Sequence, residues 1–253
     1  NAVRDLGEVT VVAPANNQSG VGAANSFRKS VKINQVASLV PGIDAYAVSG
    51  TPADSVILGI EHVLPNGADV VVSGINPGYN TSRNMFISGT FGAAIIAAAK
   101  GVKTCAFSIE AEGIGAAEAE AEIRTRESFG NELIGRIITA VGRELISPET
   151  PAGGLFNVNI PRPDGHGIAG AVACAPAYSD FKMKLYAQDD GGYEIYSGLK
   201  LVIDQLDLTP GTDVEALIHR NVAVTAVEGA TLSYLPEDPT LHRMVAAVNR
   251  EIG

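Results

Sequence analysis

The sequence has no tryptophan, two cysteines and no apolar run of about 18 residues. Without such a run the chain has no candidate transmembrane helix, so we expect no membrane partner. Cys105 and Cys174 lie in apolar, strand-like stretches, which favours buried reduced thiols over a disulfide or a metal pair. Basic residues are also scarce, with 18 Lys and Arg against 28 Asp and Glu, a net charge of −10 and a pI near 4.8. Because such a field repels phosphate backbones, we expect no stable nucleic-acid partner.

Several catalytic signatures are absent as well. There is no G-x-S-x-G nucleophile elbow and no P-loop lysine pattern, which disfavours serine hydrolysis and NTPase chemistry. The glycines of "SGVGAAN" do not have the spacing of a dinucleotide fingerprint, which disfavours an NAD(P)-dependent oxidoreductase. No histidine has the spacing of a metal ligand, so we interpret all of them as solvated or core residues: His62, His166, His219 and His242.

Strand-like runs rich in Val and Ala alternate with helical patterns in the first part of the chain. The strand-like segments are 8–13, 45–48, 68–73, 103–107 and 155–160, and the helix-like segments are 52–64, 88–100 and roughly 115–143. Nearly continuous apolar strands separated by helices predict an α/β fold, with a parallel-core sheet covered by helices on both faces. The composition, 46% hydrophobic and 18% charged, supports a full core.

The pattern changes after residue 160. "AGAVACA" predicts a strand, alternating residues at about 181–200 predict a β-hairpin, and a terminal helix is expected at about 238–251. Since no repeat or linker interrupts the chain, we interpret 1–253 as a single domain with a hairpin appendage suited to subunit contacts. At the other end, Ala2, Val3 and Leu6 resemble the last turns of a helix before a strand. We therefore expect the first strand of this β-α-β unit to precede Asn1.

Three loops of small polar residues follow predicted strands, where ligands bind in open parallel sheets. Ser88, Gly89 and Thr90 open a helix, so they could form either an anion site or a plain helix cap. Ser19 and Asn76 carry neutral oxygens that a hard cation such as Mg²⁺ accepts, usually alongside carboxylates. The sequence therefore predicts half of a phosphate or metal site and leaves the acidic half unassigned.

Two candidate acidic groups have structural explanations. Asp54 stands three residues after Thr51 and before a helical pattern, the arrangement of a capping box. Asp189 and Asp190 precede two glycines between alternating strands, which is typical of a hairpin turn. We favour both explanations over catalysis.

Six motifs together resemble the SurE family, the stationary-phase survival proteins. In chain order they are "VVAPANNQSG" (11–20), "GTPADSV" (50–56), "VVSGINPGYN" (71–80), "SGT" (88–90), "NVNIP" (157–161) and "PGTDVEALIHRNVAVTAV" (210–227). They are distributed from residue 11 to residue 227, which is most of the length of the chain. The resemblance implies a Rossmann-like domain with a protruding β-hairpin and C-terminal elements that exchange between subunits of a homodimer or homotetramer. It also implies a cytoplasmic phosphomonoesterase that hydrolyses nucleoside 5′- and 3′-monophosphates.

The resemblance further implies one divalent cation per subunit, Mg²⁺ or Mn²⁺. Ser19 and Asn76 match two of the family's metal ligands, and an Asp-Asp pair in an N-D-D-G motif, expected before Asn1, would supply the others and the catalytic carboxylate. Ser88, Gly89 and Thr90 match the phosphate-contacting S-G-T, with Asn80 lining the same pocket. A non-catalytic nucleotide- or phosphate-binding module of the same fold is the alternative.

Three positions depart from the commonest family pattern: Ala15, Arg83 and Asn84. Ala15 stands where the family often has a carboxylate, and Arg83 and Asn84 stand where acidic residues are common. We expect Arg83 to make the mouth of the pocket more positive, which suits a phosphate substrate.

Overall fold

The structure is a computed structural model, and it describes residues 2–111, 130–163, 165–178, 183–197, 208–229 and 231–253. The strands are β1 (Thr10–Pro14), β2 (Ile33–Val36), β3 (Asp44–Val48), β4 (Val70–Pro77), β5 (Lys103–Ile109), β6 (Leu155–Ile160), β7 (Gly170–Ala173), β8 (Met183–Ala187), β9 (Tyr193–Ser197) and β10 (Asn221–Val227). The α-helices are α1 (Pro52–Leu58), α2 (Gly89–Ala99), α3 (Glu132–Ile146), α4 (Asp213–Ile218) and α5 (Pro239–Ile252). A π-helical turn (Gly59–Val63) follows α1, and 3₁₀ turns cover Arg4–Leu6 and Ser82–Ile87.

The strands form a five-stranded sheet in the order β4-β5-β6-β10-β7, a three-stranded sheet in the order β1-β3-β2, and the hairpin β8-β9. The pairs β1·β3, β4·β5 and β5·β6 are parallel, which confirms the predicted parallel core. Two pairs differ from the prediction: β10, inside the larger sheet, runs antiparallel to β6, and β2, at the edge of the smaller sheet, runs antiparallel to β3. The short strand β2 was not predicted, since three of its four residues are exposed and its apolar pattern is weak.

Helices cover both faces of the larger sheet. On one face, alternate residues of β5 and β6, among them Phe107, Phe156 and Val158, pack against Ile134 of α3 and Leu241 of α5 in one buried cluster. On the other face, Ala106 and Leu155 pack against Phe91 and Ala94 of α2. The alanines of α2 have small side chains, so this helix lies close to the sheet and places its N-terminus beside the end of β4.

The predicted elements lie close to the observed ones. The five strand-like segments correspond to β1, β3, β4, β5 and β6, and the two shorter helix-like segments correspond to α1 with its π-helical turn and to α2. The predicted helix at 115–143 is observed from Glu132 to Ile146, and its part at 115–129 lies outside the described residues. The predicted hairpin at 181–200 contains β8 and β9, with its remaining residues outside the described part, and the terminal helix is α5.

Two further expectations concern single residues. Thr51 and Asp54 form the predicted capping box, in which each side chain accepts the backbone N–H of the other residue. Cys105 and Cys174 are both free and buried, as expected. Burial raises the pKa of both thiols, that of Cys174 to about 12. Among the described residues, no helix is long and apolar enough to cross a bilayer.

Candidate functional site

The carboxyl end of β4 forms one wall of the candidate site. Gly74 has a φ of +115°, and a Cβ added there would lie 2.4 Å from the carbonyl oxygen of Phe107, so only glycine fits. The pairing of β4 with β5 shifts register between Ser73 and Asn76. Beyond the shift, the Asn76 Nδ2 donates a 2.7 Å hydrogen bond to the carbonyl of Gly78. This bond fixes the amide, so its oxygen faces away from Gly78.

The oxygen of Asn76 faces the start of α2. Its Oδ1 lies 3.4 Å from the hydroxyl of Thr90, and the Ser73 Oγ donates a 2.8 Å hydrogen bond to the Thr90 carbonyl. The structure therefore brings together Asn76 and the Ser88-Gly89-Thr90 segment, two of the elements that the sequence predicts for one site.

Ser88 is the N-cap of α2, with its side chain accepting a 3.2 Å hydrogen bond from the backbone N–H of Phe91. The cap interpretation of this segment is therefore confirmed. It is compatible with an anion site, because the first N–H groups of a helix have no intrahelical acceptor and lie at the positive end of the helix dipole. Gly89 and Ser88 are buried and Thr90 is half-buried, so an anion there would be partly shielded from water.

The loop that carries Ser19 packs against the same helix start. A Cβ on Gly89 would lie 3.1 Å from the carbonyl oxygen of Gln18, and the Gly22 N–H donates a 2.8 Å hydrogen bond to the carbonyl of Ile87. Ser19 itself is exposed, and its Oγ donates a 2.9 Å hydrogen bond to the Oδ1 of Asn17. The loops after β1 and β4 and the N-terminus of α2 thus meet at one place.

Asn80 is held by the sheet. It is 6% exposed, its Nδ2 donates to the Ser108 Oγ at 2.7 Å, and its backbone N–H donates to the Asn159 Oδ1 at 2.8 Å. The amides of Asn157 and Asn159 donate in return to the Asn80 carbonyl. In this arrangement Asn80 anchors the chain between β4 and the Ser82–Ile87 turn to β5 and β6. Its contact with a substrate remains a prediction.

The acidic candidates have the structural roles expected of them. Asp54 accepts hydrogen bonds from Thr51 and from both the backbone and the side chain of Ser26. Burial raises the pKa of Asp54, but these hydrogen bonds outweigh it and hold the pKa below its ordinary value. Asp190 accepts the N–H of Gly192 at 2.8 Å within the turn between β8 and β9, and Asp189 is exposed in the same turn. All four histidines are also exposed.

A buried carboxylate that sequence reasoning missed lies behind the site. The Oδ2 of Asp213 accepts a 2.7 Å hydrogen bond from the backbone N–H of Ser82. Its Oδ1 accepts a 2.9 Å hydrogen bond from the backbone N–H of Ala177. Asp213 is fully buried, and this burial outweighs its hydrogen bonds and raises its pKa to about 6. In the sequence, Asp213 follows Thr212 at the start of a short helix, so it has the pattern of an ordinary first-turn acid.

The departures from the family pattern have distinct surroundings. The Arg83 guanidinium lies 4.2 Å from the ring centroid of Tyr178, which is a cation–π contact. Asn84 donates its backbone N–H to the Thr81 carbonyl inside the 3₁₀ turn. Ala15 donates its backbone N–H to Val48 next to β1 and β3.

A divalent cation is chemically compatible with two of these residues. The Ser19 hydroxyl and the Asn76 amide supply the neutral oxygens that Mg²⁺ and Mn²⁺ accept. The part of the chain that the structure describes contains no group of three or more His, Cys, Asp or Glu residues that could hold a metal ion.

Three comparisons with known proteins point to one family. The family model "Survival protein SurE" matches residues 1–183. A protein of Methanopyrus kandleri named 5′-nucleotidase SurE is 34% identical over 226 residues, 88% of this chain and 82% of its own length. The protein of the same name from Cytophaga hutchinsonii is 32% identical over 98% of this chain and 87% of its own length. The crystal structure of the SurE protein from Aquifex aeolicus aligns with a TM-score of 0.63 and 28% identity, over 91% of this chain and 86% of that one.

Proposed function

The chain belongs to the SurE family, and from this premise we propose that it is a metal-dependent phosphomonoesterase that hydrolyses nucleoside 5′-monophosphates, and 3′-monophosphates as well. One observation carries the proposal: the Asn76 Oδ1 lies 3.4 Å from the Thr90 hydroxyl, which joins the candidate metal ligand to the candidate phosphate site. The nucleotidase relatives give no support to the alternative of a non-catalytic binding module of the same fold.

Ser88, Gly89 and Thr90 would bind the phosphate. The free N–H groups at the N-terminus of α2 and the Thr90 hydroxyl donate to non-bridging oxygens, and the helix dipole favours their negative charge. These donors are held in place before the reaction by the Ser88 cap and by the Ser73 bond to the Thr90 carbonyl. Donors fixed in this way stabilise the charge that develops on the phosphoryl oxygens during hydrolysis.

Ser19 and Asn76 would hold the cation, together with carboxylates from outside the described residues. A bound Mg²⁺ or Mn²⁺ supplies Lewis-acid polarisation of the phosphoryl group. Asn76 is oriented for this role by its bond to Gly78, which leaves the amide oxygen directed toward Thr90. Asn80 would line the pocket from the buried side.

We further propose that the protein is a homodimer or homotetramer. The hairpin formed by β8 and β9 exposes apolar side chains, among them Leu185, Tyr186 and Tyr193. Exposed aromatic and aliphatic residues on a two-stranded hairpin favour burial against another subunit, because an isolated hairpin is marginally stable in water. The hairpin and helix α5 would be the elements exchanged between subunits.

The experiment is phosphate release from AMP and GMP by the protein expressed from its complete gene, with Mg²⁺ or Mn²⁺ and then with excess EDTA. We expect hydrolysis that EDTA abolishes and either cation restores. Asn76→Ala and Thr90→Val should each reduce kcat/KM at least about 10-fold, as loss of a charge-stabilising donor or metal ligand does.

Asn66→Ala is the matched control, since Asn66 is exposed in a turn before β4, at the opposite end of that strand. This variant should keep wild-type kinetics. Absence of phosphate release from the wild type would contradict the enzyme proposal. Activity that persists in EDTA would contradict only the proposed metal dependence.

A further inference from the structure

Asp213 holds together two segments that are distant in sequence. Its two carboxylate oxygens accept the N–H groups of Ser82 and Ala177, the residues that immediately precede Arg83 and Tyr178. The carboxylate also accepts the N–H of Val214, which fixes it to the first turn of α4. A carboxylate that accepts this many backbone N–H groups restricts the position of both segments. The buried Asp213 therefore fixes the placement of Arg83 relative to Tyr178.

Arg83 and Tyr178, whose neighbours Asp213 holds, form a stacked pair. The guanidinium carbon lies 4.2 Å from the ring centroid, while the Tyr178 residue is 82% exposed. Arg83 occupies one side of the ring, and an exposure this large leaves the other side open to solvent. A large aromatic ring held rigid by a guanidinium and left open on one face is a surface on which another flat ring can stack.

The same pair is connected to the phosphate site. The 3₁₀ turn Ser82–Ile87 carries Arg83 and runs directly into Ser88, whose N–H donates to the Met85 carbonyl at 3.2 Å. Met85 is buried in the cluster with Phe91 of α2, so the turn is anchored to the helix that begins at Gly89. Arg83 also adds positive charge near this end of a chain whose net charge is −10.

We propose that Arg83 and Tyr178 form the base-binding surface of the nucleotidase, with the substrate's base stacked on the open face of Tyr178 and Asp213 acting as the positioning residue. This rests on the proposed function and extends it to the nucleoside part of the substrate. Stacking recognises any base, because every base has a π face. The enzyme should therefore discriminate weakly among AMP, GMP and the pyrimidine monophosphates.

The test compares AMP with ribose 5-phosphate, which carries the phosphate ester without the base. Tyr178→Ala should raise KM for AMP by about 5- to 100-fold, the range for loss of one base–aromatic stack, and leave kcat/KM for ribose 5-phosphate unchanged. Tyr178→Phe keeps the ring and should stay within about twofold of wild type. Equal losses on both substrates, or no loss on either, would overturn the proposal.

If the wild type hydrolyses neither substrate, the proposed function fails and binding decides the inference separately. Calorimetric titration with AMP and with inorganic phosphate would then be run on the wild type and Tyr178→Ala. Weaker AMP binding with unchanged phosphate binding supports the stacking surface, and equal AMP affinity overturns it.

Asp213 is tested through its coupling to Tyr178. Asp213→Asn places an amide N–H against a backbone N–H, so it should loosen the pair and raise KM for AMP. In the Tyr178→Ala background the same change should alter KM for AMP by less than about twofold, because the stack is already lost. If the fold-changes in KM for AMP of the two single variants multiply in the double variant, the two residues act independently and Asp213 acts on the fold alone.

Discussion

Gly92 of α2 lies directly against Gly22 of the loop that carries Ser19. A Cβ added to Gly92 would lie 2.3 Å from the Gly22 carbonyl oxygen and 2.6 Å from the Ala23 nitrogen. The backbone of this loop therefore touches the helix with no room for a side chain, and the position of Ser19 depends on that approach.

Gly92→Ala should push the Ser19 loop away from α2. We expect a loss of about 1–3 kcal/mol in the free energy of unfolding, typical of overpacking at a rigid backbone contact, and a larger relative loss of nucleotidase activity. Gly135→Ala is the matched control, because a Cβ at Gly135 of α3 meets nothing within 4 Å. That variant should stabilise the protein by about 0.5–1 kcal/mol. Urea unfolding of both variants is the measurement, and equal effects would contradict the contact.

Asp213 should make the protein less stable as the pH rises, which is the opposite of the usual effect of an aspartate. Its pKa is raised from 3.8 to about 6, so the folded protein holds this proton more tightly than the unfolded chain does. The stability it contributes is fully present below its unfolded pKa and is lost as pH rises through about 6. We compare the free energy of unfolding of the wild type with that of Asp213→Asn. The wild-type value minus the variant value should be larger at pH 5 than at pH 7.5 by about 1 kcal/mol. A pH-independent difference would show that Asp213 does not titrate as described.

Asp54 should behave in the opposite way. Its pKa is lowered, so its contribution is present above the unfolded pKa and is lost as pH falls through the folded one. Asp54→Ala removes the acceptor of the Thr51 and Ser26 N–H groups, and we expect a loss of about 1–3 kcal/mol at pH 7 that shrinks toward pH 3. Asp44→Ala is the control, since Asp44 is exposed on β3 and should change stability by less than about 0.5 kcal/mol.

The two thiols should be inert in the folded protein. Cys105 is fully buried, and burial raises the pKa of Cys174 to about 12, so neither supplies thiolate at pH 8. We expect Ellman's reagent to label no thiol in the native protein and both thiols in denaturant. Rapid labelling of one cysteine under native conditions would contradict its burial.

Local patterns were enough to predict several caps and turns of the fold. The Thr51–Asp54 capping box, the Asp190 turn and the cap at Ser88 all depend on residues within a few positions of one another, and all are observed. The two loops and the helix start were also predicted to lie where ligands bind in open parallel sheets. The structure brings them together at the start of α2, although β1 and β4 belong to different sheets.

What the sequence by itself determined is the order of strands and helices, the caps and turns, and the family. Only the tertiary structure decided that Asp213 accepts the N–H of Ser82, 131 residues away, and that Asn159 holds Asn80 across 79 residues. The same applies to the stacking of Arg83 on Tyr178. The physical reason is that burial and long-range hydrogen bonding arise from how segments pack. An aspartate at the start of a helix has the same local pattern whether it is solvated or, like Asp213, enclosed by two distant chain segments.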